Sequence, residues 1–109
     1  MNTLADYNDE MAAYWLGRGT RYDMSHLLPT ILTAGQVMVY RTVPANIRTA
    51  TMIRHGDYVA VSENYARDHA HSNLGGWQGR RSRLLQKIVR SDELEPANPC
   101  EFWYWPKTH

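Results

Sequence analysis

Residues 37–44 read Val-Met-Val-Tyr-Arg-Thr-Val-Pro, and no other run in the chain leans so strongly towards extended structure. Four β-branched residues and a tyrosine fall within its first seven positions, and such side chains favour a pleated, half-buried surface. Pro44 closes the run because it has no N–H to give to a ladder. A strand here commits the 109-residue chain to one sheet-containing domain, since that length supports a single modest core. Arg41 interrupts the pattern. A guanidinium in a buried strand costs free energy unless it is paired, so Arg41 must meet a carboxylate or face a cleft.

The flanking segments supply the rest of the architecture. Leu4, Tyr7, Met11, Tyr14 and Trp15 form one apolar stripe, which predicts a helix over residues 3–16 capped by Thr3 and ended by Gly17 and Gly19. A second short helix is expected from Ser25 or Pro29 to Ala34, closed by Gly35. After a polar connection, His55-Gly56-Asp57 is a turn signal and residues 58–62 read as a strand. Ser62 is then placed to cap a short helix over 63–70. Residues 72–83 read as a glycine- and arginine-rich loop, 84–89 as a strand and 91–94 as a turn. Pro96 and Pro99 make 96–99 a rigid break before a last strand, 100–105. The predicted class is α+β in one domain, 1–109. Its helical part covers 1–36, and a mostly antiparallel sheet with short helices covers 37–106.

Composition narrows the function classes. A net charge of +1 is too small to signal nucleic acid or an anionic membrane by itself. Cys100 is the only cysteine, which excludes an internal disulfide and a Cys-based zinc site. His69 and His71 stand two apart on a predicted helix and point apart, so no metal is expected and the histidines are read as facing solvent. No run approaches the ~18 apolar residues that cross a bilayer, so no membrane partner is expected and the expected location is the cytosol.

Three polar residues stand in otherwise apolar strands: Arg41, Ser62 and Glu101. Polar residues at core positions are where local rules break at functional sites. Two readings are open. Arg41 and Glu101 form a buried ion pair, or they line a cleft.

The segments VMVYRTVP, HGDYVAVSENYARDHA and PCEFWYWP, in this order, resemble the small ADP-ribosyltransferase-like domains of phage and prophage proteins. The likeness spans roughly residues 37–106, and HGDYVAVSENYARDHA carries most of it. The resemblance implies an ADP-ribosyltransferase-like fold with NAD as co-substrate, acting on a host protein or nucleic acid in the host cytosol. It further implies that Arg41 holds the phosphate and ribose of NAD, that Ser62 braces the site, and that Glu101 is the catalytic glutamate. Tyr65 becomes a candidate for stacking on nicotinamide, with Trp103 a second. Many arginine-modifying members carry Glu or Gln two residues before the catalytic glutamate, where this chain has Pro99, so arginine is not implied as the acceptor.

Two further readings come from the surface. A chain with this fold and no chemistry can bind and inhibit a host factor, through Trp77, Arg80, Arg81 and Arg83. The same residues with Lys87 and Arg90 can grip phosphates and stack bases. Solvated arginines on a loop and strand account for the same pattern.

Overall fold

The computed structural model of the protein describes residues 1–73 and 82–107. The β-prone run folds as strand β1, Gln36–Pro44. It pairs antiparallel along its whole length with β3, Ser82–Arg90, from Gln36 opposite Arg90 to Pro44 opposite Ser82. The second ribbon contains β2 (Tyr58–Ala60), β5 (Glu101–Tyr104) and β4 (Leu94–Asn98). Strand order is β3-β1-β2-β5-β4, and every pairing is antiparallel. The architecture is α+β with a five-stranded antiparallel sheet and a few short helices. Among the described residues no helix is long and apolar enough to cross a membrane.

One pair, Tyr40 with Ala60, joins the two ribbons. Beyond it β1 and β2 separate. The sheet's inner face holds the core. Val37, Val39 and Val43 of β1, Leu85 and Val89 of β3, Val59 of β2, and Phe102 and Tyr104 of β5 are all buried there. They meet Leu4, Leu16, Ile31 and Leu94 in one cluster. Alternation along each strand puts these residues on the same side and leaves Trp103 of β5 exposed on the other.

The predicted helix over 3–16 is broken. Leu4–Asp6 forms a single 3-10 turn, and helix α1 covers Asp9–Trp15. The cause is local competition from polar side chains. Asp6 Oδ2 accepts from the backbone N–H of Thr3 at 2.7 Å, and Asn8 Oδ1 accepts from Met11 N–H at 2.9 Å. Asn8 is therefore an N-cap in extended conformation, and it restarts the helix. Helix α2, Leu28–Ala34, follows the expected pattern, with Pro29 in its first turn and Gly35 left-handed at its end.

The rigid break expected at 96–99 is in part a strand. Pro96 lies within β4, opposite Phe102. Proline is tolerated there because β4 is the edge of the sheet and a missing N–H on the outer side leaves no ladder bond unmade. The turn that returns to β5 has Pro99 followed by Cys100 at φ +73, the pattern of a type II turn with cysteine where glycine is usual. The left-handed backbone is held from three sides. Cys100 N–H donates to Trp15 O at 2.8 Å, Cys100 O accepts from Val61 N–H at 3.1 Å, and Sγ approaches Tyr22 O at 3.4 Å. The N-terminal part thus grips the turn from which Glu101 departs.

Gly17 makes that grip possible. Its φ is +87, and an added Cβ would run into Cys100 Sγ. Gly19 has a similar φ, +82, with open space around it. Gly19→Ala should therefore cost only the left-handed penalty, roughly 1–2 kcal/mol. Gly17→Ala should add an overpacking cost of roughly 1–3 kcal/mol. Urea denaturation of the two variants checks the difference; equal losses would mean that the Gly17–Cys100 contact is unimportant.

Candidate functional site

Where β1 and β2 part, a cleft of about 280 Å³ opens. It is lined by Tyr40, Arg41 and Thr42 of β1, Tyr58, Val59 and Ala60 of β2, and Glu101 of β5. The remaining wall is Tyr65, Ala66 and His69 of helix α3, Glu63–Asn73. Thr42 donates to Ala66 O at 2.8 Å and so ties α3 to β1 across the cleft.

Arg41 shares the inward parity of Val39 and Val43, yet its side chain is 34% exposed. The separation of β1 from β2 explains this. Nη1 donates to Tyr58 O at 2.9 Å, and Nε lies 3.8 Å from Asp57 Oδ2. The ion partner is thus Asp57. The pairing with Glu101, one of the two readings open from the sequence, is not the contact made. A partly exposed pair at this distance contributes about 0–1 kcal/mol.

Glu101 lies opposite Ala60 and is buried, with only 6% of its surface exposed. Two groups lie near its carboxylate. Asn98 Nδ2 lies 3.5 Å from Oε1 while donating to Tyr58 Oη at 2.8 Å, and the Tyr65 phenol is close enough for Glu101 to raise its pKa. Burial, then the neighbouring Glu101 carboxylate, push the Tyr65 phenol well above the ordinary tyrosine range. Burial and the Glu101 charge also raise Tyr58, and the Asn98 bond opposes them. Burial pushes the Cys100 thiol up to about 11, so the residue beside Glu101 stays a neutral thiol.

Ser62 is buried beside the cleft but does not line it. Its Oγ accepts from Tyr65 N–H at 3.1 Å and caps α3. The capping expected from the sequence is therefore its observed contact, and through it Ser62 fixes the start of the helix that carries Tyr65. Tyr65 packs edge-on against Tyr22, with centroids 5.0 Å apart, and stacks on His69 at 5.8 Å. Tyr22 in turn donates to Asp68 at 2.7 Å. His69, expected to face solvent, lines the cleft instead because Tyr65 holds its ring. Trp103 stands outside the cleft, 4.3 Å from the Tyr58 ring.

Of the surface candidates, Trp77, Arg80 and Arg81 lie outside the described residues. Arg83 is engaged: Nη2 donates to Ile47 O and Ala50 O, both at 2.8 Å, and pins the connection after β1. Arg90 is paired with Asp92 at 2.8 Å. Among the described residues, no group of three or more His, Cys, Asp or Glu is placed to hold a metal ion.

Asp57, Tyr58 and Asn98 complete the site and were not singled out from sequence, and His69 was read only as facing solvent. Only Asp57 carried a signal, as the acidic end of a His-Gly-Asp turn. Comparison with protein-family models, with curated proteins and with solved structures finds no match to this chain.

The Tyr65–Glu101 contact gives the site a titration signature. Tyr65 has a raised pKa in the folded state, so its contribution to stability is complete below the ordinary tyrosine pKa and is lost as pH rises above it. Glu101→Gln should bring the Tyr65 transition part of the way back, because burial, the larger cause, remains. Tyrosinate absorbance of Tyr65→Phe and Glu101→Gln against the parent reads this directly. An unchanged titration in Glu101→Gln would remove the contact. Ser62→Ala should cost about 1 kcal/mol by loss of the cap, measured by denaturation.

Proposed function

We propose that the cleft binds the nicotinamide–ribose end of NAD and that the protein transfers ADP-ribose to a protein or nucleic-acid acceptor. The observation that carries this reading is that a guanidinium and a buried carboxylate line one cleft together with several aromatic rings. NAD has complementary charges: a pyridinium at the bond to be broken and a pyrophosphate beyond the ribose. A cleft of about 280 Å³ suits a ring and a ribose, while the rest of a dinucleotide would lie along the open side.

The chain's residues divide the work. Arg41 can exchange Asp57 for a phosphate oxygen, since a planar guanidinium suits bidentate phosphate recognition. Tyr65 and His69, stacked on each other, offer a ring edge and face to a flat cation. Glu101 provides a buried carboxylate, with Asn98 Nδ2 beside it, for positive charge that develops on the ribose. The resemblance of the three sequence segments points the same way.

A second reading has its own support. Arg41 already has partners in Asp57 and Tyr58, and Ser62 is spent on the α3 cap. These contacts suit a protein that keeps the shape of the cleft and acts by binding and inhibiting a host factor. The two readings differ on Glu101: inhibition by binding should be equal in the parent and Glu101→Gln.

Incubation with labelled NAD and a cell lysate tests the first reading. The expected results are label transfer by the parent and a loss of about 10²–10³-fold in Glu101→Gln, the scale for removing one electrostatic group. NAD should also raise the melting temperature of the parent and not that of Arg41→Ala. A parent that neither transfers label nor responds to NAD overturns the reading.

A further inference from the structure

Strand β3 is one edge of the sheet, nine residues long, and among the described residues no strand pairs with its outer side. A long edge of this kind is a template for another strand unless something blocks it. Its protection is slight. The described edge contains no proline and no acidic residue, and Ile88 is 59% exposed. Two of its cations are turned to other work: Arg83 holds the Ile47 and Ala50 carbonyls, and Arg90 holds Asp92. The third, Lys87, leans inward with Nζ 5.9 Å from the Tyr104 ring centre.

We propose that β3 pairs antiparallel with β3 of a second copy of this chain, about a two-fold axis through Gln86, giving one continuous ten-stranded sheet. The register follows from faces and charge. A two-fold axis perpendicular to the sheet keeps each face on its own side, so opposed residues must share parity. An axis at Lys87 sets Lys87 against its own copy, and an axis at Leu85 sets Lys87 against Arg83; like charges directly opposite are destabilising. An axis at Gln86 pairs all nine residues. It sets Lys87 against Leu85, Arg83 against Val89 and Arg90 against Ser82, so every cation faces a neutral residue. On the outer face it sets Ile88 against Leu84 of the other copy. Ile88 also forms the rim of an apolar hollow of about 300 Å³ built from α2 and β1, with Leu27, Ile31, Val37 and Met38 in its lining. The added strand would cover part of that rim. This inference does not rest on NAD.

Sedimentation and light scattering of the parent at high micromolar concentration test it. Twice the chain mass is expected. Gln86→Lys, which places two ammonium groups together on the axis, should return the chain to monomer mass, as should Ile88→Lys. Gln86→Cys should form a symmetric disulfide-linked dimer, because directly opposed Cα atoms in an antiparallel pair lie within disulfide reach. Lys87→Cys should cross-link far less, since its opposite residue is Leu85. The parent provides the control, as Cys100 is buried. A monomeric parent, a dimer that survives both lysine substitutions, or equal cross-linking of the two cysteine variants would overturn the proposal.

Discussion

The cross-strand pair of Tyr40 with Ala60 is the hinge on which the structure depends. It is the single described pair between a long two-stranded ribbon and a shorter three-stranded one. Had β2 run on beside β1, Tyr58 O would have joined a ladder and the space now forming the cleft would have been closed. Instead the carbonyl is taken by Arg41, so one side chain both satisfies the backbone left by the separation and presents charge at its edge. The cleft, the exposure of Arg41 and the seat of α3 on β1 follow from that one short pairing.

A single row of residues crosses all five strands at this point: Gln86, Tyr40, Ala60, Glu101 and Asn98. Glu101 owes its direction to the irregularity at one end of the row, where the register shifts between Pro96 and Asn98 and Cys100 turns left-handed. Such irregularities re-aim side chains next to functional clefts. The energy stored in the Cys100 backbone is offset by fixed contacts with the N-terminal part, so residues remote in sequence help set the position of the buried carboxylate.

Much of this was legible in the sequence. The strand at 37–44 shows its β-branched side chains openly, and the structure extends the predicted run by one residue, at Gln36. The inward sets on β2 and β5 follow from alternation, and Gly35 ends α2 where a left-handed residue is needed. Other features depend on context that a linear reading lacks. Pro96 reads as a breaker until the strand is known to be an edge, and the helix over 3–16 reads as continuous until Asn8 is seen to cap it. Asn98 before Pro99 looks like simple turn chemistry, although its amide bridges Tyr58 and Glu101. The partner of Arg41 came from a turn near in sequence, Asp57, rather than from the polar residue of the last strand.

Ala60 has a consequence of its own. It is buried at the floor of the cleft, flanked in the row by Tyr40 on one side and Glu101 on the other. A methyl group between two large neighbours is what leaves a hollow there; a valine or leucine would stand in the space between the walls. Arginine and glutamate on the rim determine what the hollow attracts, but whether there is a hollow at all is decided by the smallest side chain in the row.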